Sequence, residues 1–213
     1  AGGGPVSAAT HYDKPGEGVW DLTVKWSIIA NSLRKSNHDK GDHGFGSLIR
    51  AARGAKISWH HNLWANHLDR MPRPGNYSLP SEDSEGALFE FRSNVFYNWG
   101  KDRAGYNYDV STHARYNFID NAYVAGPDSK GSMAFEEQNQ LARAFWSGNS
   151  MDGVVPADQK TLVKGNIPVG YWLDAPLDVG AVAPDPAPRA YKRVLAGAGA
   201  SLARDAVDLK IVA

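Results

Sequence analysis

The chain lacks cysteine, any long apolar run and any excess of charge of one sign. Without cysteine it has no disulfide bridges or thiolate metal sites, although this does not fix the compartment, because many secreted enzymes also lack cysteine. No apolar run reaches the roughly 18 residues that a membrane helix needs, and residues 1–4 do not resemble a signal peptide. The 23 basic residues balance 23 acidic ones, so we expect neither nucleic acid nor a membrane surface as a partner. Any charged partner must therefore be recognised by a local group of charged residues and not by the net charge of the chain.

The feature that the sequence does contain is an internal repeat. Residues 22–33 align without gaps to residues 57–68, and the pattern returns around Phe89 and Tyr116 and, more faintly, around Ala144. Each copy is a short alternating strand, a polar corner and a second short apolar strand. The corner position is occupied at intervals of 35, 32, 27 and 28 residues by Ser27, Asn62, Asn94, Asn121 and Asn149.

This repeat predicts an all-β fold, a right-handed parallel β-helix (solenoid) in which each copy forms one coil. An asparagine at the corner tolerates a left-handed backbone, and its amide can bond to the asparagine of the next coil, so we expect an asparagine ladder. The alternative is an antiparallel β-sandwich, which also has alternating strands but does not require a fixed polar residue in each repeat.

The chain is predicted to divide into β-helix coils over residues 1–152 and a C-terminal tail over residues 153–213 that packs on them. A proline-rich linker at 184–188 precedes a predicted short helix at 189–196, with Tyr191, Val194 and Leu195 on its apolar side. The first coil starts close to residue 1 without a capping element. We therefore expect further N-terminal coils to be supplied by another segment or chain.

Long polar insertions at residues 35–46, 67–86 and 101–113 separate the coils and are expected to form a groove on one side of the solenoid. The second insertion carries Arg70-Met71-Pro72-Arg73, in which the proline stiffens the chain between two guanidinium groups. Such planar, permanently charged forks suit the carboxylates of an acidic polysaccharide. In the neighbouring loops, His43 and Tyr106 are predicted to contact the substrate, Tyr106 by stacking on sugars.

Residues 59–75, with their strand, His-His-Asn corner and Arg-x-Pro-Arg segment, resemble the pectate lyase family of parallel β-helix polysaccharide lyases. Residues 35–46, 91–100, 116–127 and 190–212 are similar to further segments of that family, so the resemblance covers about nine-tenths of the chain. The resemblance implies cleavage of pectate or a related uronan by β-elimination, with Arg70 as the base and Arg73 as the partner of the substrate carboxylate. It also implies a secreted or periplasmic protein and a calcium cofactor.

Two positions depart from the family pattern. Many members carry a substrate-binding lysine where Phe45 stands, and the nearest lysine here, Lys40, is assigned that role by proximity. Many members also carry a further arginine where Gly75 stands. The calcium ligands are not identified, because Asp13 and Glu17 alone cannot supply the six to eight oxygens that calcium takes.

Adjacent strand residues point to opposite faces, so His60 and His61 are predicted not to share a metal ion. Two alternative functions stay open from the sequence. A polygalacturonase-like hydrolase would need carboxylates held close together across the scissile bond, and the sequence offers the pair Asp39 and Asp42 in one loop. A non-catalytic carbohydrate-binding β-helix would need no base.

Overall fold

The computed structural model describes residues 6–9, 18–35, 37, 39 and 41–213. These residues contain short strands, one 3₁₀ turn at Gln159–Leu162 and two C-terminal α-helices, α1 (Ala187–Gly197) and α2 (Ala206–Val212). The strands are β1 (Ala8–Ala9), β2 (Leu22–Lys25), β3 (Ile28–Ala30), β4 (Leu48–Arg50), β5 (Lys56–His60), β6 (Leu63–His67), β7 (Arg73–Gly75), β8 (Ala87–Arg92), β9 (Val95–Trp99), β10 (Arg103–Asn107), β11 (Ala114–Ile119), β12 (Ala122–Val124), β13 (Met133–Glu137), β14 (Ala142–Ser147), β15 (Ser150–Met151) and β16 (Val163–Gly165).

The strands form parallel sheets that run along a solenoid. One sheet has the order β2-β5-β8-β11-β14 and a second has the order β3-β6-β9-β12-β15, so every neighbour is the equivalent strand of the next coil. The third face of the solenoid consists of β1-β4-β7 followed by β10-β13-β16. The predicted β-solenoid with a short C-terminal helix is therefore confirmed.

The gapless alignment of the first two repeats gives the register of these sheets. Leu22 pairs with Ile57 and Val24 with Trp59, and Ile29 pairs with Trp64. Side chains at equivalent positions stack inside the solenoid, because one coil repeats directly above the previous one. The interior consequently holds aromatic columns, such as Trp64 over Phe96 with ring centroids 4.9 Å apart and Phe118 over Trp146 at 4.2 Å.

The predicted asparagine ladder runs along the corner between the first two sheets. The backbone N–H of Asn62 donates to the side-chain oxygen of Asn94 (2.9 Å), and the N–H of Asn94 donates to that of Asn121 (3.0 Å). The side-chain oxygen of Gln159 continues the ladder beyond Asn149 at 2.9 Å. The ladder satisfies backbone groups that the turn removes from the sheets.

The left-handed residue at this corner is not the asparagine, as the sequence had suggested, but the residue before it. Trp26, His61, Ser93 and Asp120 have φ values of +52°, +56°, +54° and +55°. A second ladder, which the sequence reading missed, lies at the C-terminal end of the second strand of each coil. There the left-handed residues are themselves asparagines, and Asn98 donates to Asn66, which donates to Asn31 (2.9 and 2.8 Å).

The third face is irregular between β7 and β10, where Pro72 has no N–H to donate. The strands stay adjacent because the N–H of Tyr106 donates to the Pro72 carbonyl at 3.1 Å and that of Met71 donates to the Ala104 carbonyl at 3.0 Å. A Cβ at Gly105 would lie 2.6 Å from the Pro72 oxygen, so only glycine fits this close approach. At this step Met71 is buried in the core, whereas Arg70 and Arg73 on either side of the Met71-Pro72 pair remain partly exposed.

The C-terminal residues contact two faces of the solenoid. Asn117 on β11 exchanges hydrogen bonds with the backbone of Leu177 (2.8 and 2.9 Å). Helix α1 buries Ala187, Ala190 and Val194 near β9 and β12, whereas Tyr191, predicted on the apolar side, is 38% exposed. In the described part of the chain, no helix is long and apolar enough to cross a membrane.

Candidate active-site groove

Arg70 lies between β6 and β7 with a left-handed backbone (φ +63°). Two hydrogen bonds from the preceding coil fix this segment, one from Gly46 N–H to the Asp69 carbonyl and one from Ser47 N–H to the Arg70 carbonyl, both 2.8 Å. A Cβ at Gly46 would lie 2.5 Å from the Arg70 oxygen, so glycine is required for this approach. A left-handed arginine costs about 1–2 kcal/mol, and strain of this kind is concentrated at functional sites.

Asp69 holds the backbone of Arg70 in place. Its carboxylate accepts a hydrogen bond from the Arg70 N–H (2.9 Å), and the guanidinium of Arg103 lies 3.4 Å from each of its oxygens. Burial raises the pKa of Asp69 above its ordinary value, although the charge of Arg103 opposes this effect. Arg103 is itself buried and reaches the carboxylate of Glu136 at 3.1 Å. The backbone of Arg70 is thus anchored in a buried network of charges.

The Arg70 side chain lies over the ring of Phe45, with its guanidinium carbon 4.3 Å from the ring centroid. The ring of His43 is 4.7 Å from the same phenyl ring, and its Nδ1 lies 2.9 Å from the Gly41 carbonyl oxygen. Phe45 therefore gives Arg70 a flat surface and a cation–π contact worth about 0.5–2 kcal/mol. The predicted residues Arg70 and His43 therefore both contact the ring of Phe45.

Arg73 on β7 lies close to Arg70 in the chain and is partly exposed. Its guanidinium is 3.8 Å from the carboxylate of Asp109, which also pairs with the fully buried Arg50 at 2.9 Å. Burial lowers the pKa of Arg50 despite this carboxylate. A Cβ at Gly75 would overlap Asp109 and Arg50. The structure thus explains the departure at Gly75, because an arginine there would collide with the buried ion pair.

Tyr106, which was predicted to stack on sugars, has little free surface. The guanidinium carbons of Arg73 and Arg103 lie 5.0 and 4.7 Å from its ring centroid, and the residue is 6% exposed. The nearby Tyr108 is 42% exposed and donates a hydrogen bond to Glu136 at 2.9 Å. Tyr106 therefore supports two arginines, and Tyr108 presents the open aromatic surface. The predicted substrate contact Lys40 lies outside the described residues.

His60 and His61 were predicted to face opposite sides, but the structure brings their side chains together. β5 ends at His60 and His61 has a left-handed backbone, so the two Nδ1 atoms lie 2.9 Å apart. The Nε2 of His61 is 3.1 Å from the buried carboxylate of Asp185, which also pairs with Arg193 at 2.7 Å. Adjacent residues alternate between faces only within a strand, and β5 ends at His60, so His61 no longer follows this pattern. His61 thus contacts the C-terminal tail, and His60 contacts His61.

The described residues do not fit a calcium site. No three His, Asp or Glu side chains among them come close enough to hold a metal ion, and Asp13 and Glu17 lie outside the described part. The groove carboxylates of Asp69, Asp109 and Glu136 are each neutralised by a guanidinium. Hard cations need several oxygens that converge, and these oxygens are already engaged.

Three groups that shape the groove were missed by sequence reasoning. Asp69 was visible as the direct neighbour of Arg70, but nothing marked it as the anchor of the Arg70 backbone. Arg103 and Asp109 lie in the third insertion. Arg103 is the first residue of β10, and Asp109 follows shortly after the last residue of that strand. Because successive coils stack, charged residues at strand ends in adjacent insertions are candidates for such pairs.

No protein-family model matches the chain. Curated relatives do match it over most of its length. A probable pectate lyase C from Aspergillus terreus is 26% identical over 198 residues, which is 91% of this chain and 42% of the relative. A probable pectate lyase C from Aspergillus flavus is 28% identical over 203 residues, 92% of this chain and 43% of the relative.

A third protein of the same name, from Emericella nidulans, is 26% identical over 200 residues, 90% of this chain and 41% of the relative. The chain thus spans about two-fifths of the length of the curated relatives that it matches. The resemblance drawn from the motifs is confirmed: this chain is similar in sequence to proteins named probable pectate lyase C, and its structure is the parallel β-solenoid that the resemblance implies.

Proposed function

We propose that the chain is the catalytic part of a polysaccharide lyase that cleaves pectate or a related uronan by β-elimination. The observation that carries the proposal is Arg70, held in a left-handed conformation at the solenoid surface with Arg73 beside it in the chain. Proteins named probable pectate lyase C are similar to it over this segment and most of the rest. A location outside the cytoplasm belongs to the same proposal, because the substrate is a polymer.

In the proposed reaction, Arg70 takes the proton from the carbon next to the uronate carboxylate. The electron pair of that C–H bond forms a carbon–carbon double bond, and the bond to the glycosidic oxygen breaks. The leaving oxygen takes a proton from water and Arg70 later returns its proton to the solvent, which leaves one unsaturated and one ordinary chain end. Arg73 binds the uronate carboxylate and stabilises the charge that develops on it during proton removal.

A guanidinium carries its proton in water, so Arg70 must be neutral at the moment of transfer. Three contacts position Arg70: its backbone is fixed by Gly46 and Asp69, and its side chain rests on the ring of Phe45. No calcium ligand enters this proposal, and calcium dependence is left to the assay.

The test is to incubate the protein with polygalacturonate, with and without calcium, and to follow the ultraviolet absorbance of unsaturated uronate. Arg70→Lys should abolish this absorbance while the circular dichroism and melting temperature are retained, because lysine does not reproduce the planar fork. Arg53→Lys is the matched control, since Arg53 has the same left-handed backbone (φ +52°) at a different corner.

Near-full activity of Arg70→Lys would contradict the assignment of the base. Reducing ends without absorbance would identify a hydrolase. That outcome is not expected, because the carboxylates of Asp69, Asp109 and Glu136 are engaged by arginines and Asp42 pairs with Arg34 at 3.0 Å. Binding without cleavage would identify a non-catalytic carbohydrate-binding solenoid.

A further inference from the structure

We infer that Arg50 is a positioning residue of the groove: it holds the carboxylate of Asp109 and thereby keeps the guanidinium of Arg73 available for a uronate carboxylate. The inference rests on the proposed function, in which Arg73 binds that carboxylate. It assigns a role to a fully buried arginine of the preceding coil, which acts through Arg73 and does not touch the substrate.

Two arginines of the groove compete for one acid. Arg50 Nη2 lies 2.9 Å from Asp109 Oδ1, and Arg73 Nη2 lies 3.8 Å from the same oxygen. Within the described part of the chain, Asp109 is the only carboxylate that forms an ion pair with either arginine. The hydrogen bond therefore belongs to Arg50, whereas Arg73 is attracted by the charge without being bonded to the carboxylate.

The second oxygen of Asp109 also has a hydrogen bond. Oδ2 accepts the backbone N–H of Asn76 at 3.1 Å, and the N–H of Asp109 itself donates to the side-chain oxygen of Asn107 at 2.9 Å. Together with Arg50, these bonds fix the position of the carboxylate. Asp109 is thus held away from Arg73 by three neighbours.

Gly75 provides the space through which Arg50 reaches Asp109. Arg50 is the last residue of β4 and pairs in register with Gly75 of β7, the next strand of this face. A Cβ at Gly75 would overlap both the Arg50 guanidinium and the Asp109 carboxylate. Only glycine therefore allows this ion pair to span the coil that carries Arg73.

Arg50 is covered, whereas Arg73 is accessible. The side chain of Arg50 is 1% exposed, and its guanidinium carbon lies 5.1 Å from the ring centroid of Tyr77. Its Nη1 donates to the Arg73 carbonyl at 3.4 Å. The side chain of Arg73 is 24% exposed, with the ring centroid of Tyr106 at 5.0 Å. A substrate carboxylate therefore meets Arg73, and Arg50 acts from behind it.

Without Arg50, the carboxylate of Asp109 would lose its nearest cation while remaining largely buried. An uncompensated buried charge is costly, and Arg73 is the neighbouring cation that can relieve this cost. The distance between Arg73 Nη2 and Asp109 Oδ1 exceeds a normal charge-assisted hydrogen bond by only roughly 1 Å. Arg73 would then close on Asp109, and a substrate carboxylate would have to break this pair in order to bind.

The test measures kcat/KM on polygalacturonate by unsaturated-product absorbance, together with the melting temperature of each variant. Arg50→Met should lower kcat/KM by about tenfold, which corresponds to one charge-assisted hydrogen bond to the substrate. Adding Asp109→Asn to Arg50→Met removes the competing charge and should restore kcat/KM to within about threefold of the wild-type value. Arg92→Met is the matched control and should leave kcat/KM unchanged, because Arg92 also pairs with a buried acid, Glu90 at 3.1 Å, but on another sheet.

The comparison that separates positioning from a merely structural role uses Arg73. In an Arg73→Gln background, Arg50→Met should change kcat/KM by less than about twofold, because the residue through which Arg50 acts is gone. If Arg50→Met folds poorly, Arg50→Lys keeps the buried charge but replaces the two guanidinium nitrogens by a single ammonium. It should give a smaller loss that disappears in the same background.

The same loss with and without Arg73, or no loss from either substitution of Arg50, would overturn the inference while the lyase assignment stands. Absence of unsaturated product from the wild-type protein would instead overturn the proposed function. In that case, calorimetric titration of the same variants with oligogalacturonate still tests whether Arg50 keeps Arg73 available for a carboxylate, because this measurement reports binding without turnover.

Discussion

Removing the carboxylate of Asp69 should impair catalysis through Arg70, although Asp69 itself is buried beneath the groove. The carboxylate accepts the Arg70 N–H at 2.9 Å and pairs with Arg103 at 3.4 Å. Asp69→Ala removes both contacts. Breaking one partner of a buried ion pair costs about 3–5 kcal/mol of stability, here reduced because Arg103 keeps Glu136 at 3.1 Å.

The effect on turnover follows from the backbone of Arg70. Its left-handed conformation costs about 1–2 kcal/mol, and the bond from its N–H to Asp69 is one of the contacts that offset this cost. Without that bond, Arg70 is expected to leave its orientation for much of the time. A loss of 1.4–2.8 kcal/mol of transition-state stabilisation corresponds to roughly a tenfold to hundredfold decrease in kcat.

Asp69→Asn separates the two contacts, because the amide oxygen can still accept from the Arg70 N–H but carries no charge for Arg103. We expect a smaller decrease in kcat, about threefold to tenfold, since a charge-assisted bond becomes a neutral one. Burial raises the pKa of Asp69, so acidification protonates it before an exposed aspartate. The resulting fall in wild-type kcat should be missing in Asp69→Asn.

The assay is the initial rate of unsaturated-product formation at saturating substrate, with the melting temperature of each variant measured in parallel. Asp120→Ala is the control, because Asp120 is likewise an aspartate whose pKa is raised by burial but lies at a different corner of the solenoid. If Asp69→Ala keeps the wild-type kcat while its melting temperature falls, Asp69 only stabilises the fold and the reasoning is refuted.

Two further predictions concern stability and pH. Burial lowers the pKa of His67 to about 4, so this side chain stays neutral in the folded state at pH values at which it is protonated in the unfolded chain, that is, below about 6.5. The free energy of unfolding should therefore fall by about 3 kcal/mol between pH 6.5 and pH 4. His67→Gln should reduce this pH dependence in chemical denaturation. Burial raises the pKa of Glu137 well above its ordinary value, so the folded state keeps a proton that the unfolded chain releases and stability should fall as pH rises above about 4.5. Glu137→Gln should therefore be more stable than wild type at pH 8 and similar at pH 4 by thermal melting, and an equal difference at both pH values would contradict this cause.

Much of the fold could be predicted from the sequence because a solenoid converts sequence period directly into spatial contact. The alignment that paired Leu22 with Ile57 is also the observed strand register, and the polar residue of each repeat forms the observed ladder. The local backbone was harder to predict. His61 leaves the strand one residue earlier than an alternation rule assumes, so its side chain joins that of His60.

The groove could be predicted only in part because its residues act through neighbours that are one coil away. Arg70 stood out through its own motif, but the ring beneath it belongs to Phe45 and the cation behind its anchor belongs to Arg103, about one repeat before and one repeat after. In the sequence, Phe45 stood out only because many family members carry a lysine at this position. In the structure, its ring is the surface on which the Arg70 side chain rests. A motif identifies the reactive side chain, whereas the stacking of coils determines which rings and charges surround it.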